Sequence, residues 1–234
     1  MSLLDFVFPK RCVNCGKTGD YVCQNCFTYI SFDTKSLCLI CDRPSFDNLT
    51  HPACKKKYSI DGCFSAISYN KIAKKLISNF KYKPYLTDLK TFLAELFVES
   101  IIQNENFIHA LEMGLPAGRQ VFVPVPLFSS KLRKRGYNQS EILVKTLSKK
   151  FNLPAQNILK RTRDTKTQYK LKRQDREENL KNAFSLKARV GPLSQHNIFL
   201  VDDIVTTGST LKEAANVLKR NGANKVFGLT LARD

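Results

Sequence analysis

The 234-residue sequence contains no apolar run of the roughly 20 residues that a helix needs to cross a bilayer, so a membrane-spanning protein is not expected. Residues 1–10 are apolar, but they include Asp5 and lack the basic leader and the small-residue cleavage site of a signal peptide. We interpret this segment as a short amphipathic helix packed on the body of the protein. Together the two absences favour a cytoplasmic location.

Acidic residues are scarce relative to basic ones. The chain has 38 Lys and Arg against 20 Asp and Glu, which gives a formal net charge of +18. Residues 1–63 contain eight basic and six acidic residues. Residues 64–234 therefore contain 30 basic and 14 acidic residues and carry a net charge of +16. Such a positive potential attracts nucleic acids or small phosphorylated ligands, although the same charge would also serve plain solubility.

Cysteine is absent after residue 63, and all eight cysteines lie within residues 1–63. Six form three Cys-x-x-Cys pairs, and a fourth pair of the same spacing begins with histidine. Two ligands at this spacing can bind one metal from a tight turn, for which Gly16 is suited. Four pairs suffice for two tetrahedral structural zinc sites, with no coordination position left open for catalysis. The candidate ligands are Cys12, Cys15, Cys23, Cys26, Cys38, Cys41, His51 and Cys54.

The pairing of these ligands has two solutions. Sequential pairing assigns the first four ligands to one zinc and the last four to the other, whereas interleaved pairing joins alternate pairs. We prefer sequential pairing because each ribbon then closes a shorter loop. Cys63 is an alternative to His51. A disulfide framework fits poorly because nothing indicates secretion, and redox catalysis would usually need one such pair beside a βαβ unit. We therefore predict a double zinc-ribbon module over residues 1–63 that acts as a scaffold or docking surface.

Residues 64–234 alternate predicted strands with predicted helices. This order indicates an α/β domain with a mainly parallel sheet that is covered by helices on both faces. Residues 111–120 are interpreted as a surface loop, and the strongly basic segment 160–190 as a loop followed by a helix from Gln168 to Lys181. The predicted strands are 64–70, 121–125, 198–201 and 225–231, and the other predicted helices are 71–82, 86–109, 137–150 and 209–221.

The most informative segment starts with strand 198–201 and continues through two acids and a hydroxyl-rich turn into a helix. Open α/β sheets bind ligands at the carboxyl ends of their strands, and a helix N-terminus presents backbone N–H groups that suit a phosphate. Gly208 allows close backbone approach. Asp202 and Asp203 would repel a phosphate, so they are better placed to accept hydrogen bonds from sugar hydroxyls or to lie near a hydrated Mg²⁺. The predicted phosphate turn consists of Thr206, Thr207, Gly208, Ser209 and Thr210.

This segment resembles the phosphoribosyl-diphosphate (PRPP) signature of the type I phosphoribosyltransferases. The order of motifs along nearly the whole chain is similar to that of the ComF family, which is linked to natural transformation and DNA uptake. Two features depart from the family pattern: His51 stands where a cysteine is usual, and residues 111–120 form an insertion. The motifs are the cysteine module, Pro124-Val-Pro126, Arg135-Gly-Tyr-Asn-Gln139, Arg161-x-Arg163-x-Thr165-x-Thr167-Gln168, Arg176-x-x-Asn179 and the phosphate turn.

The resemblance implies a role for each part of the body. Residues 206–210 would hold the 5′-phosphate of PRPP, and Asp202 and Asp203 would hold the ribose 2′- and 3′-hydroxyls. The segment after strand 121–125 would be the pyrophosphate loop, in which the basic side chains neutralise the diphosphate and a glycine lets the backbone close in. The stretch 160–175 corresponds to a flexible catalytic hood that would cover the departing pyrophosphate, although any one of its basic residues could equally belong to a solvated face. The loop residues are Lys131, Arg133, Arg135 and Gly136, and the hood residues are Arg163 and Lys166.

Two functions follow from these expectations. The first is Mg²⁺-assisted transfer of a phosphoribosyl group from PRPP, with catalysis by positive charge on the leaving group. The second is a non-catalytic protein that handles single-stranded DNA during uptake, beside a helicase, with aromatic rings for base stacking. The two are compatible, because ligand binding could regulate DNA handling. The aromatic residues considered for stacking are Phe80, Tyr82, Tyr85, Tyr137 and Tyr169.

Overall fold

The computed structural model describes residues 9–83, 85–112, 119–164, 180–188 and 190–234. Its first part has little regular structure, namely helix α1 (Gln24–Phe27) and the 3-10 turns Phe46–Asn48 and Pro52–Cys54. Isolated bridges, such as that between Leu37 and Pro44, close the remaining turns. Such a segment is typical of a module that metal ligands shape.

A four-stranded parallel sheet forms the centre of the rest. Its strands are β1 (Gly62–Ser68), β2 (Gln120–Pro124), β5 (Asn197–Val205) and β6 (Lys225–Arg233), in the order β1-β6-β5-β2. Every neighbouring pair runs parallel, so the carboxyl ends of the strands meet at one edge. Strands β3 (Leu159–Arg161) and β4 (Phe184–Leu186) form a separate antiparallel pair. The helices are α2 (Lys71–Tyr82), α3 (Thr87–Ile102), α4 (Glu105–Glu112), α5 (Ser129–Arg135), α6 (Gln139–Phe151) and α7 (Ser209–Arg220).

Alternate residues along the strands serve two separate cores. One face packs under α2, α3, α4 and α6, and neighbouring strands bring phenylalanine rings together with centroids 5.5 to 5.9 Å apart. The other face packs under α7 and the β3–β4 pair. Since both faces are buried, the strands appear in the sequence as continuous apolar runs. The rings are those of Phe64, Phe122, Phe199 and Phe227.

The cysteine-rich segment packs directly on this body. Cys12 and Cys26 belong to the first core, while Leu39 and Ile60 belong to the second. Asn70 joins the two parts, because its side chain donates to Tyr29 O at 2.6 Å and accepts from the first-turn amides of α2. Strand β1 runs across the predicted boundary at residue 63.

Several elements differ from the sequence expectations, and the short strands β3 and β4 were not predicted. The predicted helix 86–109 is two helices, because Asn104 accepts from Phe107 N at 3.0 Å and starts a new helix at α4. The basic residues expected in a pyrophosphate loop lie on helix α5. Strand β5 does not end at Val201 but continues through both acids to Val205.

Several expectations fall on residues outside the described ranges. These include the N-terminal helix within residues 1–8, most of the 111–120 insertion and most of the helix from Gln168 to Lys181. Lys166 and Tyr169 also lie there. Within the ranges that are described, none of the helices combines the length and the apolar character that a bilayer crossing requires.

Candidate phosphate site and metal centres

Strand β5 passes into α7 through Thr206, Thr207 and Gly208, at the carboxyl edge of the sheet. Gly208 is the N-cap of α7, with φ 69°, and it has no side chain that could accept from the first-turn amides. Thr207 Oγ1 and Ser209 Oγ lie 2.8 Å apart, and Thr206, Thr207 and Thr210 are half-buried. A helix start without a side-chain cap, beside several hydroxyls, is suited to hold a phosphate.

The missing side chain of Gly208 also has a structural consequence. A Cβ atom at this position would lie 2.5 Å from Cδ1 of Leu39, so the missing side chain makes room for Leu39. The glycine therefore admits a neighbour from the cysteine-rich segment rather than opening the backbone to solvent on that side.

The two acids on β5 have different neighbours. Asp202 Oδ1 accepts from its neighbour Asp203 N at 2.8 Å and from Ser140 Oγ at 3.3 Å. Asp203 Oδ1 lies 2.9 Å from Nζ of Lys81, at the end of α2. Lys81 lies in the last turn of α2 and Ser140 in the first turn of α6. Each carboxylate is thus met by a helix that packs beside β5.

The environment of Asp202 opposes its ionisation. Burial and the neighbouring charge of Asp203 raise the pKa of Asp202 to about 7, although Asp203 N and Ser140 act in the opposite direction. Desolvation is the leading cause, as expected for a carboxyl at the end of a buried strand. Asp202 therefore changes its charge near neutral pH.

The predicted pyrophosphate residues separate into two groups, because α5 is a helix. Lys131 and Arg135, four residues apart, share one face of α5, whereas Arg133 is exposed. Burial, with the nearby charge of Arg161 and Arg135, lowers the pKa of Lys131. Gly136 ends α5 with φ 77°, so its position requires a left-handed residue.

The described part of the expected hood brings one arginine towards the acids. Arg161, on β3, is largely buried; burial lowers its pKa, while the charges of Asp202 and Asp164 oppose that shift. Asp164 in turn accepts from Ser130 Oγ at 2.7 Å and lies 3.8 Å from Lys131 Nζ. Arg163 is exposed and donates to Lys181 O, away from this cluster.

The sequence interpretation missed two residues of this site, Lys81 and Ser140, and named Arg161 only within a family motif, without a role. Lys81 follows the buried Ile77 by four residues and continues its row. That spacing was the available signal for Lys81. Ser140 and Arg161 are brought to the acids by tertiary packing alone.

The eight predicted metal ligands form two clusters in which all ligand atoms lie within 4.8 Å of one another. Their membership is that of sequential pairing. Cys15 Sγ lies 3.6 Å from Cys23 Sγ, and Cys41 Sγ lies 3.4 Å from His51 Nδ1. Zinc with Zn–S bonds of about 2.3 Å requires tetrahedral S···S edges of about 3.8 Å, so the donors fit this metal.

His51 and Cys63, the two alternatives for the last metal ligand, have different surroundings. Nε2 of His51 lies 2.9 Å from Pro44 O, which can only accept, so Nε2 carries the proton and Nδ1 is left to bind the metal. Cys63 lies in β1, fully buried against Gly228, and burial raises the pKa of its thiol to about 11. Cys63 is therefore a core residue and not a replacement for His51.

The two clusters predict the zinc content of the purified protein. We expect about two zinc ions per chain, because each cluster supplies four ligands. His51→Ala should lower this content to about one, whereas Cys63→Ala and the exposed-histidine control His109→Ala should retain both ions. Metal analysis after gel filtration measures the outcome, and loss of zinc in Cys63→Ala would contradict the assignment.

The raised pKa of Asp202 predicts how stability depends on pH. A carboxyl whose pKa is about 7 in the folded state and near 3.8 when unfolded disfavours folding progressively as pH rises from about 4 to about 7. Asp202→Asn should therefore gain stability relative to the original protein over this interval, by about 1 kcal/mol or more. Urea unfolding at pH 5 and pH 8 checks this, and an equal difference at both pH values would contradict it.

Comparison with known proteins agrees with this architecture. Residues 3–56 match the double zinc ribbon domain, and residues 138–233 match the phosphoribosyl transferase domain. DNA utilization protein YhgH of Escherichia coli is 30% identical over 222 residues, which cover 91% of this chain and 96% of that protein. Competence protein F of Haemophilus influenzae is 36% identical over 159 residues, which cover 68% of this chain and 66% of that protein.

Competence protein ComFC of Bacillus subtilis is 26% identical over 228 residues, which cover 93% of this chain and 86% of that protein. The resemblance found in the sequence and the predicted α/β fold are both confirmed. The chain belongs to the ComF family of competence and DNA utilization proteins, as a zinc ribbon followed by a domain of the phosphoribosyltransferase type.

Proposed function

We propose that this protein binds PRPP with Mg²⁺ at the β5–α7 turn and transfers the phosphoribosyl group to an acceptor. The observation that carries the proposal is the start of α7 directly after two acids at the carboxyl edge of a parallel sheet. This segment lies within the residues that match the phosphoribosyl transferase domain.

The turn and the two acids would bind different parts of PRPP. Residues 206–210 would hold the 5′-phosphate through backbone amides and hydroxyl groups. Asp202 and Asp203 would accept from the ribose hydroxyls, with Ser140 and Lys81 keeping the two carboxylates in place. Asp202 titrates near neutral pH. Hydrogen bonds that the ribose hydroxyls donate to its carboxylate would lower its pKa and so favour the ionised form.

The leaving group would face the basic residues of α5 and β3. Lys131, Arg135 and Arg161 lie close enough for their charges to influence one another, and Asp164 and Asp202 partly offset that charge. The bond from C1 to the pyrophosphate oxygen breaks, and its electron pair leaves with pyrophosphate, while a lone pair of the acceptor forms the new bond to C1. When bound, Mg²⁺ supplies further positive charge to the diphosphate oxygens.

The oxygen-rich acids suit Mg²⁺ in kind, but Asp203 is already paired with Lys81. Asp202 would therefore be the protein residue nearer to Mg²⁺, which would be held chiefly by the ligand and water. The names of the relatives, competence and DNA utilization proteins, support a role in DNA uptake for this chain. A cytoplasmic location is consistent with that role.

Calorimetric titration with PRPP and Mg²⁺ tests this proposal. We expect one PRPP bound per chain, and the double variant Asp202→Asn with Asp203→Asn should abolish binding. Arg135→Ala should weaken binding at least about tenfold, since charged hydrogen bonds contribute about 1.5–3 kcal/mol. Lys134→Ala, on the exposed side of the same helix, is the matched control and should bind normally. Unchanged PRPP affinity in the double variant would refute the assignment of the site.

A groove favours single-stranded DNA binding as a second candidate function. It has a volume of about 1550 Å³ and lies between the first zinc ribbon and helices α2 and α3. Its lining includes six basic residues and the tyrosines Tyr21 and Tyr85, of which Tyr85 is exposed. Positive charge beside accessible aromatic rings is suited to a nucleic-acid strand. The basic residues are Lys10, Arg11, Lys71, Lys74, Lys75 and Lys83.

The other aromatic residues expected to stack on bases differ in exposure. Phe80 is 1% exposed and lies in the core, which rules it out as a stacking platform. Tyr137 donates to Phe80 O and is half-buried, whereas Tyr82 is exposed. Tyr85 is thus the ring that both lines the groove and is open to solvent.

The groove predicts which lysines contribute to DNA affinity. Lys71→Ala with Lys74→Ala should weaken single-strand binding and reduce the slope of log K against log salt by about 1.4, at about 0.7 per phosphate contact. Lys145→Ala with Lys149→Ala, exposed on α6, is the control of equal charge change. Fluorescence anisotropy at several salt concentrations measures both, and equal slopes in the two double variants would contradict the groove.

A further inference from the structure

Leu39 connects the second zinc cluster to the phosphate turn. It lies between the ligands Cys38 and Cys41 and is 1% exposed. Its side chain reaches the backbone of Gly208 so closely that a Cβ there would lie 2.5 Å from both Cγ and Cδ1 and 2.9 Å from Cδ2. A residue of the ribbon thus covers the turn at which β5 becomes α7.

The turn has a special need for such a neighbour. Gly208 adopts φ 69°, and since it has no side chain, it makes no side-chain contact that could fix the turn. On the other side the hydroxyls of Thr207 and Ser209 contact each other. Leu39 therefore fills the space beside Gly208 that a side chain at this position would otherwise occupy.

The position of Leu39 depends in turn on the second cluster. The knuckle around it has few backbone bonds, chiefly Cys38 N to Arg43 O at 3.0 Å and Asp42 N to Cys38 O at 2.9 Å. Asp42 has φ 57°, which an aspartate adopts at some cost. In segments of this kind the free energy of metal binding maintains the fold. Occupancy of the second site would therefore fix Leu39.

The first cluster has other neighbours and offers an internal comparison. Val13 holds the place in the first knuckle that Leu39 holds in the second, and it packs against the core that contains α2. The neighbouring Asn14 accepts from Lys75 Nζ at 3.2 and 3.1 Å and donates to Cys26 Sγ at 3.4 Å. The first ribbon is thus docked on α2, and the second on the phosphate turn.

We propose that the second zinc site, through Leu39, holds the β5–α7 turn in the conformation that receives the phosphate. Leu39 is a positioning residue, since it acts on the ligand through Gly208. The identity of the ligand rests on the function proposed above, but the effect on the turn does not. Linkage also requires that a ligand bound at the turn strengthens zinc retention at the second site and not at the first.

The first test removes one cluster at a time in the full chain. Cys41→Ser and Cys15→Ser should each lower the zinc content by one, and hydrogen exchange then reports on the amides of residues 206–210. We expect faster exchange at these amides in Cys41→Ser only, and a PRPP affinity lower by about tenfold, as is common for coupled sites. The β6 amides 227–231 report on general unfolding and should stay protected in both variants.

The second test leaves both metals in place. Leu39→Ala should retain two zinc ions yet speed exchange at residues 206–210 and weaken PRPP binding, whereas Leu39→Met should restore both properties. Val13→Ala is the matched control and should change neither. If Cys41→Ser unfolds β6, the Leu39 variants decide the question.

The outcomes separate this inference from the proposed function. Equal exchange at the turn in Leu39→Ala and Val13→Ala would overturn the inference, whatever the ligand. Failure of the original protein to bind PRPP would overturn the proposed function, while the exchange measurements would still decide the role of Leu39. Slower exchange and tighter binding in Leu39→Ala would also contradict the inference.

Discussion

Two adjacent carboxylates at the end of a buried strand have to be compensated, and much of the surrounding structure meets that requirement. Lys81 from α2 pairs with Asp203, while Ser140 from α6 donates to Asp202. Burial nevertheless keeps the pKa of Asp202 near 7. A site that pairs one acid with a lysine and holds the other close to its titration point is poised for a ligand that brings its own hydroxyl donors and cations.

What the sequence predicted well was local in the chain. The β5–α7 turn is a continuous strand-turn-helix pattern, and the zinc ligands occur as pairs separated by two residues, so both could be identified without knowledge of the fold. Lys81, Ser140 and Arg161 come from elements far from the turn and meet only through tertiary packing. Arg133 illustrates a different limit: the expectation of a loop hid the helical period that leaves Lys131 and Arg135 on one face of α5.

The zinc ribbons contribute residues to both cores of the α/β body. A segment with so little regular structure cannot bury a large core of its own, and below about 40 residues per unit, metals usually supply the missing stability. Here Cys12 and Cys26 extend one core of the sheet, and Leu39 extends the other. The metal ligands consequently lie within a few residues of side chains that pack on α2 and on Gly208. Zinc bound at these sites would therefore stabilise contacts of the body as well as the turns of the ribbon.

Helix α2 contributes residues to both candidate sites, the basic groove and the pair of acids. Lys71 and Lys74 at its start line the basic groove, while Lys81 at its end contacts Asp203. Ten residues of helix span about 15 Å, which is longer than the Debye length of about 8 Å at physiological salt. A phosphate beside Lys71 would thus affect Asp203 little through the solvent, whereas one beside Lys83, which also lines the groove, would lie closer to it. Coupling from the start of α2 to the phosphate turn would pass through the packing of the helix itself, whose buried face is continuous with the first core.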